Sequence, residues 1–184
     1  MAAPLSSLEA GELASSSAVT VGLTGPVSRF SLRARGDVTS LADALEVPLP
    51  ERIGACAASG SRRAVRLGPD EWVLKASIED AAAMVSASEA IYAGYPHSLV
   101  DVSGREVTLD ISGPRASDLL TLGMARDPEA IPVGEARRLN FDGVTVLLWR
   151  LERTRYEMDS WNSFAPHILG LLKTGVAELA AEIA

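Results

Sequence analysis

Hydrophobic and polar positions along this chain alternate with two different periods. In residues 28–34, Phe30, Leu32 and Ala34 fall on one side and Arg29, Ser31 and Arg33 on the other, the period-two pattern of a strand with one buried face. Residues 106–112 repeat it, with Val107, Leu109 and Ile111 inward. Residues 19–23 read as a strand ended by Gly25-Pro26. Residues 63–67 and 71–76 flank Gly68-Pro69-Asp70, a tight turn in which proline presets φ, and read as a hairpin. Residues 137–141 and 144–151 flank Asp142-Gly143, a strong two-residue hairpin signal. The strand over 144–151 is apolar on both faces, which predicts a central place in its sheet. Residues 98–103 and 155–159 add short strands, and 51–61 read as a loop.

The helical period is shorter in reach. Thr39 or Ser40 can cap a short helix over 41–45, stopped by Pro48 and Pro50. Ser77 can cap an Ala-rich helix with Asp80 three residues on to answer it, and Ile78, Ala81, Ala82 and Val85 form its stripe. Gly113-Pro114 reads as the opening of a helix with Ala116, Leu119 and Leu120 inward, ended by Gly123. From Trp161 through Phe164, Ile168, Leu172, Val176 and Leu179 the spacing is helical to the end of the chain. Pro166 fits only its first turn, and Gly170 and Gly175 weaken or split it. The order of elements predicts an α+β fold of mainly antiparallel sheets with packed helices. Residues 1–18, rich in Ala, Ser and acid, read as a flexible arm or a short segment that docks on a partner. Residues 19–97 and 98–184 read as two halves of one folding unit.

Composition narrows function mainly by exclusion. With 17 basic and 24 acidic residues the net charge is −7, which argues against nucleic acid as a partner. A hydrophobic share of 47% excludes disorder over most of the length. No apolar run approaches the roughly 20 residues of a membrane span. The start carries Glu9 and Glu12 and lacks the basic and apolar regions of a secretory signal, so a cytoplasmic setting is expected. Cys56 is the lone cysteine, so neither an internal disulfide nor a zinc site built on Cys pairs is expected. No G-x-G-x-x-G follows a strand, and the chain holds no P-loop and no G-x-S-x-G. His97 and His167 stand far apart without ligand spacing, and structural roles are expected for both. No catalytic, cofactor or metal residue is therefore assigned. Asp101 and Ser103 read as turn formers that bond the local backbone. Arg29, Arg33 and Arg35 share one strand face, which is either solvated or a contact with an acidic partner surface.

Five segments in order change this picture: Leu67-Gly-Pro-Asp-Glu-Trp72, Leu99-Val-Asp-Val-Ser103, Ile111-Ser-Gly-Pro-Arg-Ala116, Val144-Thr-Val-Leu-Leu-Trp-Arg150 and Trp161-Asn-Ser-Phe-Ala165. Together they resemble the gamma subunit family of heterotetrameric sarcosine oxidase, itself similar to the amino-terminal part of the glycine-cleavage aminomethyltransferases. The resemblance implies a folate-binding-domain-like fold in two pseudo-related halves. It implies an accessory, non-catalytic subunit of a complex that demethylates sarcosine to glycine, passing the methyl carbon to tetrahydrofolate or releasing it as formaldehyde. It further implies FAD, FMN, NAD, tetrahydrofolate and zinc on other subunits, and contact with the alpha subunit and through it with beta and delta. Gly68, Pro69, Trp72, Asp101, Ser103, Gly113, Pro114, Trp149 and Arg150 are then motif residues with structural roles. Aminomethyltransferases place a folate-contacting acid in the strand after the Gly hairpin, and residues 143–149 carry none. A stand-alone folate-binding or aminomethyl-transferring enzyme, or a free interaction module, are the other readings.

Overall fold

The computed structural model describes residues 9–182. Its elements in chain order are β1 (Gly11–Ser15), β2 (Thr20–Leu23), β3 (Ser28–Arg33), α1 (Thr39–Leu45), β4 (Cys56–Ser59), β5 (Arg62–Gly68), β6 (Glu71–Ala76) and α2 (Ala81–Ile91). They continue with β7 (Ser98–Asp101), β8 (Glu106–Ser112), α3 (Ala116–Thr121), β9 (Glu135–Phe141), β10 (Val144–Glu152), β11 (Arg155–Trp161) and α4 (Ala165–Ala181). Every strand pairing among them is antiparallel, so the fold is α+β as the pattern predicts.

The chain divides into two compact units, one of them discontinuous. The first combines the residues through Pro26 with those from Gly104 onward. Its six strands lie in the order β1-β2-β8-β11-β10-β9. One face packs Val21, Ile111, Leu148 and Met158 against Leu119 and Leu120 of α3 and Ile168, Leu172 and Val176 of α4. Each such side chain contributes roughly 1.5–3 kcal/mol by leaving water. The second unit, Val27–Ser103, has five strands in the order β4-β5-β6-β3-β7. Phe30, Leu32, Trp72 and Leu74 meet Leu41 and Leu45 of α1 and Met84 of α2.

The boundary between units departs from the one expected at 97/98. β2, expected in the first half, pairs with β8, and β7, expected to open the second half, pairs with β3. Alternation reports that a strand has a buried face but not which distant strand completes its ladder. Within the expected arm, Gly11–Ser15 is β1, paired to β2; residues 1–8 lie outside the described residues. Within the expected loop, Cys56–Ser59 is β4, paired to β5. β4 is made of small residues and β1 carries Leu13 as its one large apolar residue, so neither shows the period-two signal.

Helix starts also shift. The Ser77 hydroxyl accepts from the Asp80 N–H at 3.3 Å and donates to its carboxylate at 2.9 Å, but α2 begins only at Ala81. Gly113 has φ +133°, and a Cβ there would sit 2.7 Å from the Ala18 carbonyl oxygen. Gly113-Pro114 is therefore a turn held to the Ala18 backbone, and α3 begins at Ala116. α4 is unbroken through Gly170 and Gly175, with Pro166 in its first turn.

Candidate functional site

The β5–β6 turn gathers Arg33 and Arg35, two of the three arginines singled out in the sequence. Arg66 donates to the carbonyls of Gly68, Glu51 and Pro69, and its guanidinium lies 4.8 Å over the Trp72 ring. The Trp72 indole donates to Pro50 O at 2.9 Å, so the Gly68-Pro69 turn is held from two sides. Arg33 bridges Asp70 and Glu71, each at 3.0 Å, and Arg35 reaches Asp70 at 3.4 Å. Desolvation pushes the Asp70 carboxyl up, but the hydrogen bonds and charges of Arg33 and Arg35 outweigh it and hold the group below its ordinary value. The Arg33 and Arg35 side chains are 53% and 89% exposed. Arg29 is 3% exposed, which removes it from the open face expected to carry all three. Beside this turn, Arg35, Asp37, Val38, Leu49, Arg66 and Trp72 line a groove of about 540 Å³.

The remaining motif residues are tied into backbone and sheet. Asp101 accepts from the Ser103 N–H at 2.9 Å and from its hydroxyl at 2.5 Å. The same hydroxyl accepts from the Arg29 N–H at 2.9 Å, closing the β3–β7 ladder where its backbone partner runs out. Arg150 is buried and donates to the carbonyls of Glu129 and Ile131 at 2.6 and 2.8 Å. Trp149 donates to the buried Asp159 carboxylate at 2.7 Å, and Thr108 donates to its other oxygen at 2.5 Å. One carboxylate thus links β8, β10 and β11. In β10, Val146 and Leu147 are both buried. Asp80 accepts from Ser61, Arg62 and Ser77, and these bonds lower its pKa to about 2.

His97 forms the most reactive-looking pair. Tyr95 O can only accept, so the Nδ1 that meets it at 2.7 Å carries hydrogen. The Ser88 hydroxyl meets Nε2 at 2.6 Å. Ser88 is itself buried on α2. Ser88 and Glu89 of α2 and Tyr92 just past its end, with His97, Ser98 and Leu99, line a groove of about 490 Å³ along β7. The sequence reading passed over Glu89 and Tyr92; their one signal is an aromatic lying off the apolar stripe of α2. In the other unit, Trp161 and Phe164 form an exposed ring pair 6.2 Å apart, with Arg105 5.9 Å over the indole. His167 meets Asp142 at 2.9 Å on the surface. Among the described residues no three His, Cys, Asp or Glu side chains come together as metal ligands, and no helix is long and apolar enough to cross a membrane.

The chain as a whole is similar to known proteins. Residues 34–178 match the family described as "Sarcosine oxidase, gamma subunit family". The chain is 30% identical over 150 residues to the sarcosine oxidase subunit gamma of Corynebacterium sp. (strain P-1), covering 80% of this chain and 73% of that one. Among solved structures it is similar to heterotetrameric sarcosine oxidase from Corynebacterium sp. U-96 in complex with pyrrole 2-carboxylate. That likeness has a TM-score of 0.81 and 26% identity, covering 92% of this chain and 89% of the matched one. Its fold is also similar to the glycine cleavage system aminomethyltransferase T of Bartonella henselae. There the TM-score is 0.61 and the identity 15%, covering 79% of this chain and 43% of that one.

Proposed function

Because the chain belongs to the sarcosine oxidase gamma subunit family, we propose that it is an accessory, non-catalytic subunit of a heterotetrameric sarcosine oxidase. The complex converts sarcosine to glycine, with the methyl carbon taken by tetrahydrofolate or released as formaldehyde. FAD, FMN, NAD, tetrahydrofolate and zinc are then held by other subunits. This chain binds the alpha subunit in the cytoplasm, and through it joins beta and delta. Arg33 and Arg35 belong to the surface available for that contact, whereas the burial of Arg29 suits a role inside the fold.

The observation that carries the non-catalytic reading is the β10 strand. After the Asp142-Gly143 turn it presents Val146 and Leu147, both buried, where a folate-binding relative needs an acid. A pterin placed against them would leave its donors unpaired, at about 1–3 kcal/mol per group. The buried acid nearest in the sheet, Asp159, is already engaged by Trp149 and Thr108.

The test is co-expression of tagged chain with the larger subunits, beside calorimetry of the isolated chain with tetrahydrofolate. Co-purification of a flavin-coloured complex, with no folate heat from the isolated chain, is expected. Micromolar folate binding by the isolated chain would overturn the accessory reading, and absence of any complex would overturn the assignment to an assembly.

A further inference from the structure

We propose that the outer edge of β7 is a strand-addition site, which takes an extended segment of another subunit carrying a basic side chain. The inference rests on the subunit reading above and goes further by naming the surface and the chemistry of what binds it.

The ladder register determines which backbone groups lie open. Ala34 N donates to Asp70 O at 3.2 Å, so the even-numbered residues of β3 bond β6. Val102 N donates to Arg29 O at 2.8 Å, so the odd-numbered residues bond β7. Leu99 stands opposite Leu32 and Asp101 opposite Phe30, both even positions. In an antiparallel ladder such residues turn N–H and C=O away from the neighbour. β7 ends its sheet, so the backbone groups of Leu99 and Asp101 point outward from the edge. In the isolated chain water hydrates these groups, and an added extended backbone would pair with N–H and C=O groups at this spacing together.

Native sheets blunt such edges with short strands, charged side chains, proline or a bulge. Ser98–Asp101 is short and ends on Asp101, but it has no proline, no lysine and no bulge. Instead Val100 is 51% exposed on one side and Tyr92 55% exposed across the groove on the other. Leu99 and Asp101 side chains share the face of Leu32 and Phe30, which is the helix side. A residue added opposite Leu99 therefore sends its side chain into the groove of about 490 Å³ beneath α2. There it meets the Tyr92 and His97 rings, 5.7 Å apart, and the Glu89 carboxylate at the rim. Among the described residues no cation pairs with Glu89, so the groove has an uncompensated acid beside a π face. That combination attracts a lysine or arginine.

Hydrogen exchange on the co-purified complex tests the backbone, and Glu89→Arg tests the side chain. Exchange at the Leu99 and Asp101 amides should slow by at least about tenfold on assembly. Glu89→Arg lies on an exposed helix position, so the isolated chain should melt as before while its assembly weakens on the order of tenfold. A complex that forms with both amides exchanging at their free rate overturns strand addition, and wild-type assembly by Glu89→Arg overturns the basic side chain. A wild-type chain that forms no complex defeats the subunit reading and this site with it.

Discussion

Replacing Gly175 by alanine should destabilise the fold, while the same change five residues earlier, at Gly170, should stabilise it. Both glycines lie inside α4, where alanine is preferred by about 0.8–1 kcal/mol. At Gly170 a new Cβ meets nothing within 4 Å, so the full preference should appear. At Gly175 the Cβ would lie 2.2 Å from Leu122 Cδ1 and 2.6 Å from Leu119 Cδ1, well inside contact distance. Leu122 is 43% exposed and can swing toward solvent. Leu119 has no exposure and must push into the packed core of its unit. Overpacking of that kind costs about 1–3 kcal/mol, which outweighs the helix preference and leaves a net loss near 1 kcal/mol. For a chain of this size that is a fall in melting temperature of about 2–4 °C, against a rise of similar size for Gly170→Ala. Thermal and urea unfolding followed by circular dichroism measure both. In a double-mutant cycle, Leu119→Val should recover part of the Gly175→Ala loss. A Gly175→Ala chain at or above wild-type stability would show that this glycine does not set the α3–α4 spacing.

Asp159→Ala removes the acceptor of the Trp149 indole and the Thr108 hydroxyl, and urea unfolding should show a loss of about 2–4 kcal/mol. For Asp80, whose pKa is depressed to about 2, the linked stability is present above the ordinary carboxylate value of 3.8 and is lost as pH falls through 2. The melting-temperature gap between wild type and Asp80→Asn should accordingly be constant near neutrality and close between those two values; a constant gap down to pH 2 would refute the assignment. Arg33→Glu sets a third carboxylate beside Asp70 and Glu71, so it should lower the melting temperature and, if this surface meets the alpha subunit, reduce co-purification.

Local chemistry was legible where it is self-contained. The Gly68-Pro69-Asp70 and Asp142-Gly143 turns bring together neighbouring strands, and Asp142 and Gly143 have φ of 45° and 82°, as a two-residue turn of this kind requires. The ordered motifs also carried the family, because turn, strand end and helix start are all short-range features. What stayed hidden depends on distant partners. Arg29 and Arg33 look equivalent on one strand face, yet one is enclosed and the other half open; alternation assigns a side, not a depth. Nothing in the local pattern links Trp149 to Asp159, since a cross-strand diagonal brings them together. Gly175 reads as a helix weakness until α3 is seen against it. The Glu89–Tyr92 groove likewise exists only once β7 is known to end its sheet.

The discontinuous unit has a consequence for the order in which the chain folds. Val21 must find Ile111 across roughly 90 residues, a closure worth about 4 kcal/mol of chain entropy if made by a free loop. The intervening Val27–Ser103 is contiguous, and its five-stranded sheet can form without a strand from outside it. Once it has, the Arg29–Val102 and Arg29–Ser103 bonds hold its two ends side by side. The span left to close between β2 and β8 then shrinks to a handful of residues, which removes about 2 kcal/mol from that barrier. The middle of the chain thus acts as a template for joining its two ends, and mutations that slow the insert should delay the six-stranded sheet more than mutations in that sheet's own edge strands.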